Sequence, residues 1–160
     1  MPTSVGAQQR SVAWERYDVD FAVQSDGSVQ VTETQAIRFQ GTYQQGFRLI
    51  PTDRVTAIDD LSVSEITGGQ TLAYRPSLAP TTNGFRTAST DQGLRVDWGF
   101  PPTTDAARTF VLRYTLRGAI RIYDAGDQLE WKAVYADRPG PVAASTATVH
   151  LPADVSSAAQ

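Results

Sequence analysis

Residues 17–39 read YDVDFAVQSDGSVQVTETQAIRF, and this stretch decides the fold. Tyr17, Val19, Phe21 and Val23 stand on odd positions, with Asp18, Asp20 and Gln24 between them. Ser25-Asp26-Gly27 interrupts, and Val29, Val31, Ile37 and Phe39 resume on odd positions. Successive side chains of a strand point to opposite faces, so strict alternation marks a half-buried strand. Two such runs around a Gly-containing break form a β-hairpin. The spacing sets Val23 opposite Val29 and leaves a three-residue loop. Gly27 supplies the left-handed residue such loops need at their end.

One residue breaks the pattern. Glu33 has the parity of the apolar residues, and in this register it faces Val19. A buried carboxylate without a partner is too costly to expect. Arg48, in the segment Phe47-Arg48-Leu49-Ile50-Pro51, is the expected partner, adjacent in the same sheet. Its planar fork can donate two parallel hydrogen bonds. The pair reads as a structural clamp in preference to part of a ligand site, because buried ion pairs more often serve structure than catalysis. A bulge near Thr34, turning Glu33 to solvent, is the alternative.

Outward from the hairpin the same periodicity recurs. Turns are expected at 40–42 and 44–46, and a short strand at 47–50 closed by Pro51. From Arg54 the chain leads into Leu61-Ser62-Val63 through a bulged strand or one helical turn. Gly68-Gly69 is a turn before a short strand with Leu72 and Tyr74, and residues 76–83 read as an exposed loop. Leu94 to Phe100 alternate, and residues 101–105 read as a loop. Phe110 to Ile122 form the longest run, where Gly118 permits a bend from one sheet into another. A two-residue loop, Ala125-Gly126, would set Ile122 opposite Leu129 and Arg121 opposite Glu130, with the strand continuing through Trp131 and Tyr135. Ala147, Val149 and Leu151 make the last strand. The fold class is therefore all-β, a two-layer antiparallel β-sandwich, immunoglobulin-like in outline, of nine or ten strands.

The chain has 160 residues, the size of one domain, which buries roughly 70% of its unfolded surface. Residues 1–11 read as a disordered leader or added remnant, 12–152 as one sandwich domain and 153–160 as the start of a linker. With 14 basic and 17 acidic residues the formal charge is -3, which argues against a general nucleic-acid binder. No Cys is present, so disulfides and thiolate metal sites are out of reach. No apolar run approaches the roughly 20 residues of a membrane span. Asp59-Asp60 and Asp124/Asp127 lack the ligand spacing of a calcium loop and read as turn aspartates, so no metal is expected. His150, the single His, points outward between Val149 and Leu151, and no GxSxG turn offers a nucleophile. No Gly-rich loop opens a helix, and no cofactor is implied.

Arg113, Arg117 and Arg121 share the odd face of the long strand and would form a band about 27 Å long. Such a band suits an anionic surface polymer or lipid head groups, against the plainer reading of a solvated face.

The order Tyr17-Asp18-Val19, Asp26-Gly27-Ser28, Val31-Thr32-Glu33, Phe39 with Gly41, Gly46-Phe47-Arg48-Leu49-Ile50-Pro51, Leu129-Glu130-Trp131 and Val149-His150-Leu151-Pro152 carries a resemblance. It is similar to the N-terminal domain of bacterial predicted membrane proteins, the domain of unknown function family 2207. Residues 137–142 depart from that pattern, where a second tryptophan and an isoleucine would stand. The resemblance implies an extracytoplasmic domain tethered by membrane helices outside this stretch, and no activity or catalytic residue. The expected function is a non-enzymatic binding or interaction module of a membrane-anchored surface protein, its partner an envelope polymer or protein. The alternatives are an envelope-glycan enzyme with paired carboxylates from Glu33, Asp97 or Glu130, and a structural spacer. The isolated domain is expected to be soluble and without hydrolytic activity.

Overall fold

The computed structural model describes residues 9–136 and 138–153; the expectations for 1–8 and 154–160 lie outside them. Among the described residues twelve strands run in chain order, more than the nine or ten expected: β1 (Ser11–Val23), β2 (Val29–Gln40), β3 (Thr42–Ile50), β4 (Ala57–Thr67), β5 (Gln70–Ala73) and β6 (Arg75–Pro76). Then come β7 (Gly84–Thr90), β8 (Gly93–Thr104), β9 (Ala107–Arg117), β10 (Ile120–Arg121), β11 (Gln128–Leu129) and β12 (Ser145–His150). One sheet has the order β12-β1-β2-β9-β4-β5, the other β3-β8-β7-β6, and β10 pairs β11 apart from both. The architecture is a two-layer, mainly antiparallel β-sandwich.

The opening hairpin has the expected register, with Val23 opposite Val29 and Val19 opposite Glu33. Gly27 closes the loop at φ 80° and donates its N–H to the Gln24 carbonyl at 3.0 Å. Asp26 Oδ1 accepts from both the N–H and the hydroxyl of Ser28, at 2.9 and 2.6 Å. The odd-numbered side chains of β2 and of β1 from Tyr17 on, and the even-numbered ones of β9, face inward, while before the irregularity between Trp14 and Arg16 the inward residue of β1 is Trp14. Across from them lie Val96, Trp98 and Phe100 of β8. Phe110 joins the layers, its ring 5.5 Å from Trp98 and 5.1 Å from Phe100.

Several elements differ from the sequence reading. Residues 44–46 continue β3, with an irregularity between Tyr43 and Gln45 in place of a turn. Gly46 is needed there because a Cβ would stand 2.6 Å from the Trp98 ring. β8 runs on through Pro101 and Pro102 to Thr104. The segment before Leu61 is a bulged strand, with Asp60 at φ 53°. β7 has one inward aromatic, Phe85, and then five exposed residues, so it carries no alternating signature. β12 pairs with β1 in parallel, and so does β6 with β7, where only antiparallel pairs were expected.

The long run does break at Gly118, which has φ 69° and leads into the small sheet. The register beyond it is corrected by two residues. Ile120 faces Leu129 and Arg121 faces Gln128, not Glu130. The parity holds, but the connection is 122–127 and not a two-residue turn, because Ile122 turns out to solvent instead of pairing. Only Gln128 and Leu129 are strand there, and the described residues of 130–136 and 138–144 are irregular but for one bridge, Trp14 to Val142.

Candidate functional site

The inward odd face of β2 brings Glu33 and Gln35 between Tyr17 of β1 and Tyr114 of β9. Arg48 enters from β3, which belongs to the opposite layer. The ion pair therefore spans the sandwich, and the expected same-sheet neighbourhood is corrected. Arg48 Nη2 donates to Glu33 Oε1 at 2.9 Å, and its Nε is shared between both carboxylate oxygens at 3.1 Å. Tyr114 donates its hydroxyl to Oε1 at 2.6 Å, and Tyr17 to Oε2 at 2.6 Å. Gln35 Nε2 donates to Oε2 at 3.1 Å, while its own oxygen accepts the Trp14 indole N–H at 2.9 Å. Arg48 also donates to the Leu49 carbonyl, and its guanidinium lies 4.5 Å from the centre of the Tyr135 ring.

Both partners of this pair are fully buried. Burial pushes the Tyr17 and Tyr114 hydroxyls well above the usual phenol range, and the Glu33 charge adds to it. Burial alone would draw Arg48 down, but the Glu33 charge and the two phenols outweigh it, so its pKa is raised. Every oxygen of Glu33 is engaged and none meets solvent, so the chemistry of this cluster is to hold the layers together. A fully satisfied polar network of this kind rigidifies a core and specifies one packing.

A second buried carboxylate escaped the sequence reading. Glu65 of β4 accepts from the Tyr74 hydroxyl at 2.7 Å and from Arg108 of β9. Arg108 also donates to Thr103 and lies 5.4 Å from the centre of the Phe100 ring. Burial, then the Glu65 hydrogen bond, raises the Tyr74 pKa. Parity held the signal: Glu65 matches inward Val63, and Arg108 matches inward Phe110.

The three arginines of the proposed band are separated. Arg113 and Arg117 are exposed on β9, but Arg121 stands on β10 in the small sheet beyond the bend. Arg117 is held by Asp59 at 2.7 Å and lies 3.6 Å from Asp26. Of the carboxylates an envelope-glycan enzyme would use, Glu33 is sequestered, Asp97 lies between Arg86 and Arg95, and Glu130 binds Arg54. His150 is exposed and sits 3.3 Å from Asp20. Among the described residues, no group of three His, Cys, Asp or Glu could hold a metal ion.

A model of the N-terminal domain of a predicted membrane protein family, DUF2207, matches residues 13–160. The chain belongs to that family. Membership associates the protein with a membrane, although among the described residues no helix is long and apolar enough to cross one. No curated protein matches the DUF2207 domain. Among solved structures it is similar to a Parabacteroides distasonis protein named a "putative protease", at 12% identity and a TM-score of 0.39. That likeness covers 66% of this chain and 23% of the other, so the DUF2207 domain spans less than a quarter of its length.

With its buried acids spent on structure, the DUF2207 domain offers open chemistry where β3 meets the irregular segment after β11. Phe47, Leu49 and Pro51 form an apolar floor, and Arg95, Lys132 and Gln92 rise around it in a cleft of about 630 Å³. Arg95 stacks 4.5 Å from the centre of the Phe47 ring. Lys132 is the one lysine of the chain and makes no ion pair among the described residues. No acidic side chain is among the described residues lining this cleft. A second cleft of about 470 Å³ adjoins it through Pro51 and Lys132, and carries Trp131 and Arg54.

Proposed function

We propose that the domain is a non-enzymatic, extracytoplasmic binding module of a membrane-anchored surface protein, and that it takes an anionic envelope polymer. The observation that carries this is the Lys132–Arg95 cleft, which sets the unpaired ammonium of Lys132, beside an Arg95 that also pairs with Asp97, against a floor of Phe47, Leu49 and Pro51. A sugar ring packs on an aromatic or aliphatic floor while its carboxylate or phosphate meets the cations. Clefts with apolar walls and few convergent polar groups are where ligands bind. This reading puts the binding residues at the cleft and not along the arginine band, because Lys132 makes no ion pair among the described residues whereas Arg117 is held by Asp59 and Asp26.

Titration calorimetry with a polyuronate and with a phosphodiester-linked glycerol polymer tests the reading. One of the two should bind, and Lys132→Gln should weaken it about tenfold, the loss of one charge-assisted contact. No heat with either polymer, or binding indifferent to Lys132, would overturn it. Location is tested separately with an exposed engineered cysteine on the full-length protein in cells. It should react with a membrane-impermeant maleimide before lysis.

A further inference from the structure

Four of the large apolar side chains that the sandwich leaves exposed stand at one end. Ile122 is 83% exposed and Tyr123 53%, on the connection between β10 and β11, and Leu151 is 66% exposed just past β12. Val149 is the fourth, on the outer strand β12. The topology puts them together. β1 runs toward its hairpin loop at Ser25–Gly27, and β12 lies parallel to β1, so the chain leaves the sandwich at that same end. β9 also ends there, at Arg117, and the bend at Gly118 throws the β10–β11 connection outward. Ile122 and Pro152 line one open cleft of about 550 Å³ with Ser25, Asp26 and Gly27.

An exposed apolar group of this kind is costly to leave in water and marks an interaction surface. The family match makes this an N-terminal domain of membrane proteins, so the remainder of such a protein continues from the Pro152 end. We infer that this end faces the bilayer and that Ile122 and Tyr123, with Leu151 beside them, rest in its interfacial layer. Tyrosine suits that layer, with its ring in the apolar margin and its hydroxyl among head groups. Arg121, next to Ile122, can extend its stem along the same surface and keep its charge in water. Asp26, Asp124 and Asp127 ring the site, with Arg117 and Arg121 the nearby cations, so the contact draws on apolar burial and not on attraction to anionic lipid. Two or three side chains bind weakly on their own. Tethering raises the local concentration enough to keep them seated.

The chain lacks cysteine, which makes site-directed spin labelling clean. The domain, carrying a C-terminal hexahistidine, is tethered to phosphatidylcholine vesicles containing a nickel-chelating lipid. A nitroxide is placed at Ala125→Cys, beside the apolar pair, and in a second sample at Gln70→Cys, at the opposite end. Collisions with oxygen and with a water-soluble nickel chelate give the depth. The Ala125→Cys label should sit at head-group depth in both low and high salt, and the Gln70→Cys label in water. Ile122→Ser with Tyr123→Ser should return the first label to water without altering the melting temperature. An aqueous Ala125→Cys label in the parent would overturn the inference. So would a label shielded from both reagents, which means contact with protein, a depth unchanged by the serine pair, or a depth lost at high salt.

Discussion

Replacing Arg48 with methionine tests the inter-layer network directly. Methionine keeps most of the length and apolar volume, so the change removes charge and hydrogen bonds with little cavity. Glu33 would lose its contacts to Nε and Nη2 while keeping the Tyr17, Tyr114 and Gln35 donors. Breaking a buried pair by removing one partner costs about 3–5 kcal/mol, because the remaining charge is stranded. For a domain of this size that is a fall of about 6–20 °C in Tm. The cost is a large part of the roughly 5–15 kcal/mol that holds a typical domain together. Urea unfolding, followed by tryptophan fluorescence, gives the free energies. Glu33→Gln strands Arg48 instead and should cost about as much. The double variant should cost less than the sum of the singles by about 1–3 kcal/mol, the coupling of groups in direct contact. An Arg48→Met variant within about 1 kcal/mol of the parent, or strictly additive costs, would refute the reasoning.

Arg108→Ala should destabilise by about 1.5–3 kcal/mol, less than Arg48→Met because Arg108 is partly exposed, as chemical denaturation would show. Gly46→Ala should cost about 1–3 kcal/mol by driving a methyl into the Trp98 ring, read from the melting midpoint. Alkaline pH acts through Tyr17, Tyr74 and Tyr114, whose folded pKa values are raised. Their contribution is complete below the unfolded value of about 10 and is lost progressively as pH rises above it. Tm should therefore fall above about pH 10, and absorbance near 295 nm should show these three phenols ionising only as the protein unfolds. Phenols that ionise freely in the folded protein at that pH would contradict their burial.

Parity made the inward faces legible. It identified the first hairpin, the bend at Gly118 and the misfit of Glu33, because period two is a local property of any half-buried strand. It did not say which layer Arg48 comes from, since a side chain's face carries no information about its sheet. β7 stayed hidden because only Phe85 reaches the core, and the parallel pairing of β12 because alternation marks a strand's two faces and not its direction. The β10–β11 register slipped by two because a shift of two preserves parity, leaving loop length as the only guide. The Lys132–Arg95 cleft joins residues from β8 and from the irregular segment after β11, which no local spacing brings together.

The parallel pairing of β12 with β1 has a mechanical consequence. Tension entering the domain through Ala153 pulls β12 along its own axis, past a neighbour it matches over six residue pairs, Tyr17 with Ser145 through Ala22 with His150. The hydrogen bonds between two such strands lie across the direction of pull, so they share the load and give way together instead of peeling one by one. β12 buries little of its surface, so that ladder, and not the hydrophobic core, sets the force at which the domain lets go.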